Sequence, residues 1–133
     1  PVKSASVFVG VGKVWLEIPA CKSLKEKRSA LKPLLSKIRD KFQVSASEIG
    51  HHDVWQSSVI GLCLLGNRSQ DIERYMHAII DAVRRDRRVK LVDYRTEVIS
   101  AGGVDREPGP RPVDDEILRS VEEAWIGADE EGG

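Results

Sequence analysis

The sequence predicts an α+β fold, a ferredoxin-like βαββαβ two-layer sandwich with a four-stranded antiparallel sheet and a C-terminal amphipathic helix on a tether. Three observations predict it. Residues 7–18 and 89–99 alternate with the period of a strand, and residues 24–42 and 69–83 carry apolar stripes at the helical repeat. Between the helices lie two β-rich runs, 43–49 and 54–66, separated only by "GHHD". The order βαββαβ closes most economically with both helices on one face of the sheet.

"VFVGVGKVWLEI" (7–18) places Phe8, Val14, Leu16 and Ile18 on one face, with Gly10 and Gly12 between them to admit a close helix. Val9, Val11 and Trp15 point to the other, uncovered face. Ser23 then offers an N-cap, with Glu26 at the capping-box spacing. "SLKEKRSALKPLLSKIRDKF" (23–42) follows, with Leu24, Leu31, Leu34, Leu35, Ile38 and Phe42 on its stripe. Pro33 points away from that stripe, where a bend would wrap the helix round the core. "SQDIERYMHAIIDAV" (69–83) sets Ile72, Tyr75, Met76, Ile79, Ile80 and Val83 on one side.

Residues 1–100 form the predicted domain, and "AGGVDREPGPRP" (101–112) reads as a Gly/Pro-rich linker. An acidic tail, 113–133, carries a short helix with Asp114 as N-cap and Ile117, Leu118, Val121, Ala124 and Trp125 on its stripe. So short a helix is marginal alone in water. Its candidate partner-binding residues, Ile117, Leu118, Val121 and Trp125, should therefore dock on the open sheet face, a dimer partner or another protein.

Composition narrows the function classes. No apolar run reaches the length of a membrane helix, and the first twenty residues lack the features of a signal peptide, so a cytoplasmic protein with no membrane partner is expected. Cys21 and Cys63 stand far apart without a CxxC spacing, which argues against a disulfide framework or a zinc site. The formal net charge of zero hides a split: residues 1–103 hold 18 Lys and Arg against 11 Asp and Glu (+7), and residues 104–133 hold 3 against 10 (−7). A basic body with an acidic tail hints at a polyanion partner.

Residues 23–42 hold seven Lys or Arg against two acids. Lys25, Arg28, Lys32 and Arg39 line one border of the stripe as a ridge able to neutralise successive phosphates, and Lys37 and Lys41 lie towards the other. Basic side chains beside an apolar stripe also snorkel over a core edge, which needs no ligand. "RRDRR" supplies Arg84, Arg85, Arg87 and Arg88 at the end of the second helix, favourable to its dipole and suited to phosphate. Because the helices of this fold lie side by side, the two clusters could form one surface for RNA or a ribosomal particle. The sheet lacks the aromatic pattern of a base-stacking platform, so an RNA would be held by its backbone or shape.

"EIGHHDVWQ" (48–56) is the other constellation. His51 and His52 are adjacent, a poor spacing for one ion or for acid–base work. Asp53 is expected to hydrogen-bond the turn backbone, and Trp55 to pack rather than to stack on a ligand. No catalytic residue, metal or cofactor is expected, and no dinucleotide fingerprint, P-loop or nucleophile elbow occurs.

Taken together, the S-L-K-E-K-R helix start and the "VSASEIGHHDVWQ" hairpin resemble the YlxP-like family of small uncharacterised bacterial proteins, over about residues 7–99. The resemblance implies a ferredoxin-like fold and no established activity. Members are often encoded beside translation initiation and ribosome-maturation factors, which implies an RNA or ribosome connection. Under it Lys25, Lys27 and Arg28 carry over as candidate RNA contacts, and His51, His52, Asp53, Trp55 and Gln56 as a signature of unknown role. Pro33 and the acidic extension beyond residue 103 depart from the family pattern. The first expectation is thus a non-catalytic binding protein contacting RNA through the basic helix surface. The alternative is a protein-interaction module or homodimer that uses the open sheet face or the 113–125 helix.

Overall fold

The computed structural model describes residues 6–104 and 115–131, with side chains as far as Ile126. The elements are β1 (Phe8–Glu17), α1 (Leu24–Phe42), β2 (Ser45–Gly50), β3 (Ser57–Gly66), α2 (Ser69–Arg85), β4 (Lys90–Ser100) and α3 (Asp115–Glu131). The four strands run antiparallel in the order β2-β3-β1-β4, the ferredoxin-like arrangement. β1 is central because it pairs along its whole length on both sides.

The alternation of β1 divides the molecule into two layers. Val14 and Leu16 face the helices and join Leu34, Ile38, Ile72 and Ile79 in the core. Gly10 lies directly beneath α2: a Cβ there would stand 2.4 Å from Ile72 Cγ2 and 3.1 Å from Met76 Cε. α1 starts as its sequence requires, with Ser23 Oγ accepting from the Glu26 amide at 3.1 Å. The Glu26 carboxylate accepts from the Lys22 amide, one residue upstream of the capping-box position. α1 continues unbroken through Pro33, whose ring is exposed.

Four expectations change. Tyr75, placed on the α2 stripe by periodicity, is 48% exposed, since it sits at the stripe's border where its hydroxyl meets water. β3 begins at Ser57, not residue 54, because residues 51–56 form a longer loop. Trp55 is consequently in that loop and 52% exposed rather than packed. α3 extends to Glu131, six residues past the expected end, its acidic and alanine-containing continuation being compatible with a helix. Asp114 and most of the linker lie outside the described residues. Among the described residues, no helix is long and apolar enough to cross a membrane.

Candidate functional site

The two signature segments meet at one point, and Lys27 is where they meet. Lys27 projects from α1 toward the hairpin and is 1% exposed. Its Nζ donates to the carbonyls of His51 (2.8 Å), His52 (3.2 Å) and Ser57 (3.3 Å), and it pairs with Glu48 Oε2 at 2.9 Å. Ser58 donates to the same Glu48 carboxylate oxygen, at 2.5 Å. A buried ammonium is tolerated only with such a full set of acceptors. Lys27 therefore cannot serve as a surface contact to RNA: its burial withdraws it from that role.

The same knot explains the rest of the signature. His51 adopts a left-handed φ of 57°, and its carbonyl accepts from the Val54 amide at 3.0 Å, closing a tight turn. His51 Nδ1 lies 2.6 Å from Ser57 Oγ, and His52 Nε2 lies 3.2 Å from the Glu48 carbonyl. The two imidazoles thus have separate partners. Gln56 donates from Nε2 to the Cys21 carbonyl at 3.3 Å, while its own carbonyl accepts from the Ile18 amide at 3.0 Å. Asp53, expected to hold the turn backbone, makes no hydrogen bond among the described residues; Lys27 does that work from across the fold. The sequence reading missed Glu48 and Ser58, whose ordinary polar appearance in an alternating strand offered no signal.

The remaining cations divide by location. Arg39 donates to the Ala46 carbonyl of β2, its Nε at 3.0 Å, so its border of α1 looks over the β2 edge. Lys25, Arg28 and Lys32 lie along that border, exposed and without an acidic partner among the described residues. The arginine cluster ends α2, which packs on β4, β1, β3 and α1. Arg84 pairs with Asp81 at 3.7 Å and lies over the Tyr94 ring, 5.5 Å from its centroid. Arg88 clasps Asp86 with Nη2 at 2.7 Å and Nε at 3.2 Å. This clasp holds the Asp86 carboxyl below its ordinary pKa and raises that of Arg88. Arg85 and Arg87 remain exposed and unpaired among the described residues. Lys37 of α1 also helps to lower the Asp86 pKa, which sets one α1 cation near this cluster.

On the open sheet face, Leu65, Val9 and Ile99 are cross-strand neighbours in one row, with Cys63 and Val11 in the next. Leu65 is 71% exposed. Lys13 lies over the Trp15 ring, 5.1 Å from its centroid. Cys21, by contrast, is buried, which pushes its thiol pKa up. Among the described residues α3 packs on none of the other elements, and Ile117, Leu118, Val121 and Trp125 are all exposed.

A family model described as "Protein of unknown function (DUF503)" matches residues 9–96. The chain is 33% identical over 75 residues to the "Uncharacterized protein YlxP" of Bacillus subtilis (strain 168), covering 56% of this chain and 82% of that one. Among solved structures, the de novo designed protein Foldit4 is 15% identical with a TM-score of 0.42, over 68% of this chain and 96% of its own. A second de novo design, with a ferredoxin fold, is 8% identical with a TM-score of 0.40, over 80% and 93%. The fold assignment stands on strand order and register, not on these structural scores.

Proposed function

We propose, from the premise that this chain belongs to the DUF503 family, that it is a non-catalytic binding protein that holds RNA, free or in a ribosomal particle, by its phosphate backbone. The observation that carries this reading is the row Lys25, Arg28 and Lys32, three exposed cations spaced along one border of α1 without acidic partners among the described residues. Spacings of three and four residues keep them on one line. Arg85 and Arg87 supply a second basic point at the C-terminal end of α2. No aromatic platform accompanies them, so binding rests on counterion release and is strongly salt-dependent. The test is retention of RNA by the parent and by the Lys25→Ala/Arg28→Ala/Lys32→Ala variant across a salt series. Loss of three phosphate contacts lowers the salt slope by roughly 2 to 3. No retention by the parent at low salt, or equal slopes for the two proteins, overturns the reading.

A second reading is a homodimer in which α3 of one protomer lies on the bare sheet of the other. The Leu65–Val9–Ile99 row favours it, together with charge: acidic α3 would meet Lys13 and Arg95, which are cross-strand neighbours on that face. Light scattering on Trp125→Ala tests it, with a shift toward monomer expected and an unchanged mass against it.

A further inference from the structure

The sheet has two edges: among the described residues the β2 edge is covered by a side chain from α1, and the β4 edge meets only side chains of its own strand. β2 is six residues long, its register with β3 shifts between Glu48 and Gly50, and Arg39 occupies its Ala46 carbonyl. β4 is eleven residues long and, among the described residues, pairs with β1 alone. Tyr94 reveals which of its backbone groups face outward. The Tyr94 amide donates to Asp93 Oδ1 at 2.8 Å and its carbonyl accepts from Arg95 Nη1 at 2.9 Å, both exposed side chains. By the alternation of an antiparallel ladder, Thr96 and Val98 present their amides and carbonyls the same way. Beneath α2 this edge is hollow: a cleft of about 110 Å³ is lined by Met76, His77, Ile80, Tyr94, Thr96 and Val98. An added strand would find backbone partners at the edge and room for alternate side chains in the cleft.

We propose that β4 pairs antiparallel with β4 of a second copy, about a two-fold axis at Thr96, continuing the sheet across the dimer. The charge pattern selects the partner and the register. Centred on Arg95 or on Glu97, the pairing would set each of those charges against itself. Centred on Tyr94, it would run into Val92, at the place where the β1–β4 register shifts. Centred on Thr96, it uses the regular stretch from Asp93 to Ile99 and sets Arg95 opposite Glu97 of the second copy, twice. It also sets Tyr94 opposite Val98, twice, and Thr96 opposite Thr96. Opposite charges, aromatic with β-branched, and threonine with threonine are all favourable cross-strand pairs. The two-fold axis makes the contact isologous and closed.

Sedimentation equilibrium on the full chain tests this. The parent is expected to dimerise in the micromolar range. Arg95→Glu and Glu97→Arg should each weaken association by at least about tenfold, because each brings two like-charge pairs together. The double variant Arg95→Glu/Glu97→Arg restores opposite charges and should recover the dimer, which also shows that the exposed substitutions leave the fold intact. On a Cys63→Ser background, Thr96→Cys should oxidise to a covalent dimer, since facing residues of a hydrogen-bonded pair stand about 5.5 Å apart at Cα, within disulfide reach. A parent that stays monomeric overturns the proposal. So does a dimer that Trp125→Ala dissolves while the charge reversals leave it unchanged, or a folded double variant that fails to recover.

Discussion

The β2 side of the sheet is bound into the molecule by side chains that reach it from α1, whereas the β4 side is left with its backbone outward. On the first side, Lys27 gathers the hairpin carbonyls and Arg39 covers the strand's edge. On the second, Arg84 of α2 lies over the Tyr94 ring, and the ion pairs Asp86 with Arg88 and Asp93 with Arg95 are local. The difference teaches that charge in this chain has two uses. Long cations directed inward fasten strands, and those directed outward remain available for a partner.

The contrast breaks most readily at Lys27. Lys27→Met removes one partner of a buried pair and takes the ammonium donor from Glu48 and three carbonyls, so it should cost about 3 kcal/mol in urea unfolding. A loss below about 1 kcal/mol would mean the knot is not what holds the hairpin. At the sheet's centre, which serves both sides equally, Gly10→Ala should cost about 2 kcal/mol because its methyl overlaps Ile72. Equal stability of parent and variant would show that α2 can shift outward freely. Arg39→Ala should cost about 1 kcal/mol and make the β2 edge resemble that of β4. A variant as stable as the parent would show that covering Ala46 contributes nothing.

The smallest expected effect lies at the entrance to β4. Arg88 depresses the folded-state pKa of Asp86, so the contribution of Asp86 is complete above the ordinary carboxylate range and fades as pH falls through its lowered value. The difference in melting temperature between the parent and Asp86→Asn should therefore shrink below about pH 4. A difference independent of pH would remove the clasp from the account.

Much of the fold was legible because its signals are local. The alternation of β1, the stripes of α1 and α2, the Ser23 cap and the space left at Gly10 can each be read within a window of a few residues. The start of β3 was not, because "VWQ" suits a strand and only the pull of Lys27 on the loop carbonyls extends the turn to residue 56. The candidate site was partly legible: Lys25, Arg28 and Lys32 lie on the surface as periodicity placed them, and the hairpin signature was found as a unit. Lys27 entered as an RNA contact only through the family resemblance, although its angle on α1 falls inside the apolar stripe and it is buried.

By itself, then, the sequence determined the order of elements, the face each buries and the opposite charges of body and tail, since these follow from side-chain period and composition. Tertiary structure alone decided which cations are free, why the His-His-Asp hairpin keeps its shape and which sheet edge stays open. The physical reason is reach: the Nζ of Lys27 finds its acceptors 21 to 30 residues along the chain, at Glu48, His51, His52 and Ser57. Such partners exist only after the layers have packed.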